Sequence, residues 1–210
     1  MITRDGLVAE YLFNGNANDT SGNGFHGVVQ GATPAADRFG NPNSAYAFDG
    51  KDDWIVVAPP PRLTNVELTV SVWARYNATK FEGWWHDCII CQDDGNDNDH
   101  SRRIFQLSTS GDWVCWHRMV EVPDLCSIDP VVPGVWYHLA AVFENGVHKL
   151  YVNGVLNASR RHRLGAHAEE PLHIGRKGTP ETDFYFNGAI DDIRMYDRAL
   201  GEAEIQSLLV

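Results

Sequence analysis

Apolar and polar positions alternate in short runs along almost the whole chain, separated by clusters of Gly, Asn, Asp and Pro. Thr69-Val70-Ser71-Val72-Trp73-Ala74-Arg75 sets small or apolar side chains against polar ones at every second position, as a strand with one face on a core does. The run Trp136 to Phe143 meets Glu144-Asn145-Gly146, where Asn-Gly supplies the positive-φ residues of a tight hairpin, and His148 to Val152 forms the return strand. A second Asn-Gly at Asn153-Gly154 turns the chain into Val155 to Arg160, which predicts a three-stranded meander. Further strands are predicted from Leu7 to Phe13, Tyr46 to Phe48, Trp54 to Val57, Asp87 to Gln92, Ile104 to Ser108, Trp113 to His117, Leu172 to Ile174 and Phe184 to Tyr196. Only Leu200 to Leu209 reads as helical, with Ile205, Leu208 and Leu209 on one face behind acidic residues suited to a helix start.

About a dozen strands must bury their faces by packing two sheets or closing a barrel. The prediction is an all-β, two-sheet antiparallel β-sandwich with a short C-terminal helical segment. No repeat or interdomain linker divides residues 1–210, so a single domain is expected, with Pro59-Pro60-Pro61 as a stiff surface connection. Trp73 and Trp136 lie in the two most regular strands and are read as core.

Composition narrows the function. The chain has 17 Lys and Arg against 28 Asp and Glu, a formal charge of −11, and such a field repels phosphate backbones, so nucleic acid is not an expected partner. No apolar stretch approaches the roughly 20 residues that cross a bilayer, and Met1 to Asp5 leads into the first strand without a signal-peptide core. Membrane insertion is not expected, while one module of a larger secreted protein would begin just as abruptly. An acidic surface also suits a hard cation such as Ca²⁺, which takes oxygen ligands.

Four ordered blocks carry a resemblance. Leu7-Val8-Ala9-Glu10-Tyr11-Leu12-Phe13-Asn14-Gly15-Asn16-Ala17-Asn18-Asp19-Thr20-Ser21-Gly22-Asn23-Gly24, then Ala47-Phe48-Asp49-Gly50, form the first two. Trp136 to Val142 with Leu150-Tyr151-Val152-Asn153-Gly154, and finally Asn187 to Leu200, complete the set. Together they resemble laminin G-like domains of the concanavalin A-like lectin and glucanase superfamily. The resemblance implies a jelly roll with a concave and a convex face. Such relatives include carbohydrate-binding modules, adhesion domains and glycosidases, and a shared architecture does not select among them. It also implies a structural Ca²⁺ tying the early loop to the late strand, held by Asp19, a carbonyl around Asn23, and Asp191 or Asp192. The alternative is that Asp19 and Asn23 make side-chain turns and the Asp pair caps a strand beside Arg194.

Other candidates are read from residue chemistry. Asp93-Asp94-Gly95-Asn96-Asp97-Asn98-Asp99 fails as an EF-hand because Ile104 stands where the bidentate Glu belongs, so a solvated hairpin tip is expected. Sugar recognition needs an aromatic ring to stack on a pyranose and polar groups to bond its hydroxyls. Trp84, Trp85, Trp113 and Trp116 cluster with His86, Arg102, Arg103, Gln106, His117 and Arg118. Trp113 and Trp116 fall on opposite faces of an ideal strand, and the expected ligand contacts are Trp116, Arg103, Arg118 and Trp84 or Trp85. A second aromatic core under a long loop is the competing reading.

Cys88-Ile89-Ile90-Cys91 has Cys-x-x-Cys spacing, but positions i and i+3 of a strand point to opposite faces, which argues against shared metal binding. Cys115 and Cys126 are placed to close a local disulfide, in keeping with an extracellular or periplasmic setting, against the competing reading of free thiols. The acidic run along one strand that glucanases of this superfamily use is missing; Glu121-Val122-Pro123-Asp124 is a poor substitute. The expected function is a non-catalytic, Ca²⁺-stabilised module binding a glycan or polysaccharide on its concave face. A laminin G-type adhesion domain is the alternative, and a hydrolase or lyase with convergent carboxylates the third reading.

Overall fold

The computed structural model describes residues 1–63, 67–77, 87–92, 105–110, 113–117, 125–161, 170–178 and 184–210. Strands follow in chain order as β1 (Leu7–Tyr11), β2 (Val28–Gln30), β3 (Thr33–Ala35), β4 (Ala45–Asp49), β5 (Trp54–Val57), β6 (Leu68–Tyr76), β7 (Asp87–Gln92) and β8 (Phe105–Ser110). They continue as β9 (Trp113–His117), β10 (Leu125–Cys126), β11 (Trp136–Glu144), β12 (Val147–Val152), β13 (Val155–Arg161), β14 (Leu172–Ile174) and β15 (Asn187–Tyr196), and helix α1 is Glu202–Ser207.

These strands form two antiparallel sheets. The eight-stranded sheet runs β13-β12-β11-β6-β15-β4-β3 with β1 also paired to β15, and the seven-stranded sheet runs β10-β9-β8-β7-β14-β5-β2. The β11-β12-β13 meander turns where the two Asn-Gly pairs predict: Asn145 and Gly146 have φ of 48° and 78°, and Asn153 and Gly154 have φ of 50° and 76°. Glu10 lies opposite Arg194 and Tyr11 opposite Ile193, so the first and last strands are neighbours.

The core lies between the sheets. Leu68, Val70, Val72, Ala74 and Tyr76 of β6 face Ile55, Val57, Leu107, Val114, Trp116, Leu172 and Ile174 of the other sheet, all essentially inaccessible. Each such large apolar side chain contributes about 1.5–3 kcal/mol on burial. A smaller cluster on the outer side of the eight-stranded sheet joins Ala140, Val142, Tyr151 and Tyr196 to Leu200, Ile205 and Leu208, which docks the C-terminal helix.

Trp73 and Trp136 correct their core reading. Val72 and Ala74 take the inward positions of β6, so strand alternation turns Trp73 outward; both tryptophans are half-buried on that outer surface. There they meet cations, Arg38 lying 4.6 Å from Trp73 and Arg75 5.3 Å from Trp136. A second correction concerns Cys88 and Cys91. The register of β7 slips between Cys88 and Ile90, so Ile89 and Ile90 both enter the core and both thiols fall on the outward face. The strands β2, β3 and β10 are two or three residues long, too short to carry a period, and form because longer neighbours pair with them.

Candidate functional site

The outward face of the seven-stranded sheet gathers polar and aromatic groups from strands far apart in sequence. One row across it is Val28, Val56, His173, Cys91 and Gln106, and another is Cys88, Ser108, Cys115 and Cys126. The centre of the face is buried: Gln106 donates through Nε2 to Ser108 Oγ at 3.4 Å, and its Oε1 is buried without a hydrogen-bond partner. One border carries Trp113, 44% exposed, beside the Cys115–Cys126 disulfide. That bridge closes an 11-residue separation, worth about 3 kcal/mol of chain entropy.

The opposite border is open and chemically richer. Val28 is 56% exposed, Gln30 is exposed, and Trp54 and Val56 are half-buried on the same face, because Ile55 and Val57 take the inward positions. The Arg176 guanidinium, just beyond β14, stacks 4.5 Å from the centre of the Trp54 ring, and Tyr185 lies 6.2 Å from that ring at a tilt. Arg176 donates through Nη2 to the Gly178 carbonyl at 3.3 Å and meets His173 Nε2 at 3.4 Å. Gln30 lies directly across from Trp54.

Of the residues expected at a ligand site, Trp84, Trp85, Arg103 and Arg118 lie outside the described residues, as do Asp93 to Asp99. Trp116 is a correction. It is 1% exposed, packed in the core 4.8 Å from the His148 ring, and has no face to offer a sugar. The alternation that separates it from Trp113 holds, but Trp113 is the exposed partner. Nothing in the local sequence marks Trp54, Tyr185 and Arg176 as a group. The outward position of Trp54 is implicit in the Trp-Ile-Val-Val run, whereas its meeting with Arg176 depends on β14 pairing with β5.

The side chains expected to bind Ca²⁺ are each engaged by protein groups. Asp19 Oδ1 accepts from the N–H groups of Glu10 at 3.0 Å and Ser21 at 2.8 Å, and Oδ2 from Ser21 Oγ at 2.8 Å and the Phe25 N–H at 3.0 Å. A ring of donors serves a carboxylate; Ca²⁺ requires oxygen acceptors. Asn23 donates its amide to the carbonyls of Leu7 at 3.3 Å and Val8 at 2.9 Å. Asp191 and Asp192 share the Arg38 guanidinium at 2.7 and 2.8 Å, and Asp192 also faces Arg194 at 3.6 Å. Burial, then the charge of Asp192, pushes the Asp191 carboxyl up to about 7 against the pull of Arg38. With Asp19 and the Asp pair each satisfied by protein donors, chelation is expected to leave the melting temperature unchanged; a fall that added Ca²⁺ reverses would restore the ion. Elsewhere Asp49, Asp52 and Asp53 bring carboxylate oxygens within 4.8 Å of one another at the β4–β5 turn.

Among the described residues a nucleophile-like pair occurs. Ser71 Oγ and His138 Nε2 are 2.8 Å apart on the outer side of the eight-stranded sheet, but both residues are sealed from solvent and His138 Nδ1 has no partner to orient the ring. Burial, then Arg38 and Arg194, pushes the His138 imidazole down to about 3, which makes it a poor base near neutrality. The pair is covered on the side of the chain's last residues, where Trp73 Nε1 donates to the Leu208 carbonyl at 3.5 Å and Arg38 bonds the Val210 carbonyl.

Comparison with known proteins agrees with this architecture. Residues 48–206 match the family model of the concanavalin A-like lectin/glucanases superfamily, laminin G group 3. Pappalysin-1 of Mus musculus is 23% identical over 199 residues, covering 85% of this chain and 12% of that protein, so the chain spans a small part of its curated relative. Among solved structures, domain 4 of AbnA, a GH43 extracellular arabinanase from Geobacillus stearothermophilus in complex with arabinotriose, superposes with a TM-score of 0.75 at 21% identity over 97% of this chain and 98% of that one. The binding domain of botulinum neurotoxin serotype D gives 0.72 at 16% identity, covering 98% of this chain and 52% of that one. The binding domain of botulinum neurotoxin DC in complex with SialylT gives 0.70 at 13%, covering 98% and 51%.

Proposed function

Because the chain belongs to the laminin G branch of the concanavalin A-like lectin/glucanases superfamily, we propose that it is a non-catalytic module that binds carbohydrate at the open border of the seven-stranded sheet. The observation that carries this reading is the Trp54 platform, half-buried, flanked by the exposed Val28 and Gln30 and braced by Arg176. An aromatic and apolar strip receives the C–H face of a pyranose, and an adjoining amide and guanidinium serve its hydroxyls. Solved structures of this fold with arabinotriose and with SialylT support the class of ligand, not its identity. The Ser71–His138 pair, sealed from solvent and without an orienting acid, is itself no site of chemistry. The disulfide supports an extracellular setting.

Glycan-array binding tests the reading, with Trp54→Ala expected to weaken retained glycans about tenfold. Silence across the array would remove it. A protein-interaction surface is favoured by one separate observation. The Ser127 N–H bonds the Val114 carbonyl, which carries the β9–β10 register on to set Ile128, 72% exposed, beside the exposed Trp113. On that reading Ile128→Asp removes attachment to a protein partner and leaves glycan binding intact.

A further inference from the structure

We infer that the sugar received beside Trp54 carries an anionic group, a carboxylate or a sulfate, and that this group lies against Arg176. The inference deepens the carbohydrate-binding reading and rests on it. In a chain with 28 acidic and 17 basic residues, several arginines that are at least half-buried have carboxylates close at hand. Arg38 holds Asp191 and Asp192, Arg194 holds Glu10, and Arg198 holds Glu204 and Asp5. Arg176 has no carboxylate partner among the described residues. Its Nη2 is engaged by a carbonyl and a histidine ring, and its Nε is buried with no acceptor. Arg75 on the other sheet also lacks an ion pair among the described residues, but no N–H of it is buried and unmatched.

The stack on Trp54 makes Arg176 more than an idle charge. With its Cζ held over the indole 4.5 Å from the ring centre, the guanidinium is restrained before a ligand arrives, so less rotamer freedom is lost on binding. A planar fork of N–H groups with spare donors matches an oxyanion better than a hydroxyl, since charge-assisted bonds are roughly twice as strong as neutral ones. Val28, Val56 and the part of Trp54 that Arg176 leaves uncovered adjoin it as an apolar floor for the ring of the same sugar, and Gln30 offers an amide to a neighbouring hydroxyl.

The wider field opposes an anion, which makes the contact local. The net charge is −11, and the Asp49, Asp52 and Asp53 carboxylates sit on the turn that leads into Trp54. Selectivity therefore depends on direct contact with Arg176, and removing the exposed charge of Asp52 should strengthen binding.

An array of neutral, uronic- or sialic-acid-bearing and sulfated glycans, followed by calorimetric titration of the strongest binder and its uncharged counterpart, tests the inference. The anionic form is expected to bind at least about tenfold more tightly than the uncharged one, and Arg176→Ala to lose about tenfold to hundredfold for the anionic form alone. Arg176→Gln, which keeps bulk over Trp54, should reproduce that loss with an unchanged melting temperature. Asp52→Asn should tighten anionic binding several-fold. The carboxylate and sulfate arms tell the two sources of the oxyanion apart. Hits confined to neutral glycans, or anionic binding that ignores both Arg176 variants, would overturn the inference and leave the carbohydrate reading standing. A silent array would overturn both.

Discussion

Arg194→Ala is expected to destabilise the protein by about 3–5 kcal/mol, because it strands a buried carboxylate. Arg194 Nε donates to Glu10 Oε1 at 3.0 Å, with both side chains almost fully buried where β1 pairs with β15. Glu10 keeps only Thr20 Oγ1 at 2.8 Å and the largely exposed Arg4 at 3.3 Å when Arg194 is removed. Arg194 also faces Asp192, whose second oxygen is held by Arg38, so the loss propagates into the bulge of β15. Replacing both partners with apolar residues, as in Glu10→Leu with Arg194→Met, should recover much of the stability, since the penalty comes from the unpaired charge. Chemical denaturation of the single and double variants measures this. A single variant within about 1 kcal/mol of the parent would show that water reaches Glu10 and that the pair is marginal.

Asp19→Ala is expected to cost about 3 kcal/mol at neutral pH, since it leaves the N–H groups of Glu10, Ser21 and Phe25 without their acceptor. The effect carries a pH signature. Burial works to raise the Asp19 carboxyl, but the hydrogen bonds from Glu10, Ser21 and Phe25 outweigh it and hold it below the ordinary value of 3.8. A depressed carboxyl stabilises the fold above the unfolded-state value and loses that contribution as pH falls through the folded-state one. The gap between parent and Asp19→Ala should therefore be full at pH 7 and narrow as pH drops below about 4. Melting curves across that range decide it. A gap that persists unchanged in acid would mean the side chain acts by packing, and one that appears only with Ca²⁺ present would return Asp19 to the role of metal ligand.

Local chemistry made much of this architecture readable. Asn145-Gly146 and Asn153-Gly154 specify turns through residues that tolerate positive φ, and the intervening runs are long enough for a period of two to show. The adjacency of the chain's ends is implied by the likeness of its early and late blocks to laminin G-like domains, and β1 lies beside β15. The reading of the Asp191–Asp192 pair beside Arg194 as structural was also available, whereas Arg38, from the segment between β3 and β4, gave no local sign that it would hold both carboxylates.

What a strand reveals about itself is which residues share a face; which of its two faces meets the other sheet depends on partners elsewhere. That is why Trp113 and Trp116 could be separated but not assigned, and why Trp73, regular in its strand, turned out to lie outside the core. A slipped register added what no spacing rule contains, bringing Cys88 and Cys91 to one face. The border formed by Trp54, Tyr185 and Arg176 is likewise a product of assembly. Trp54 stands more than a hundred positions before Arg176 and Tyr185 and meets them because β14 hydrogen-bonds to β5, a long-range pairing that side-chain order along the chain does not encode.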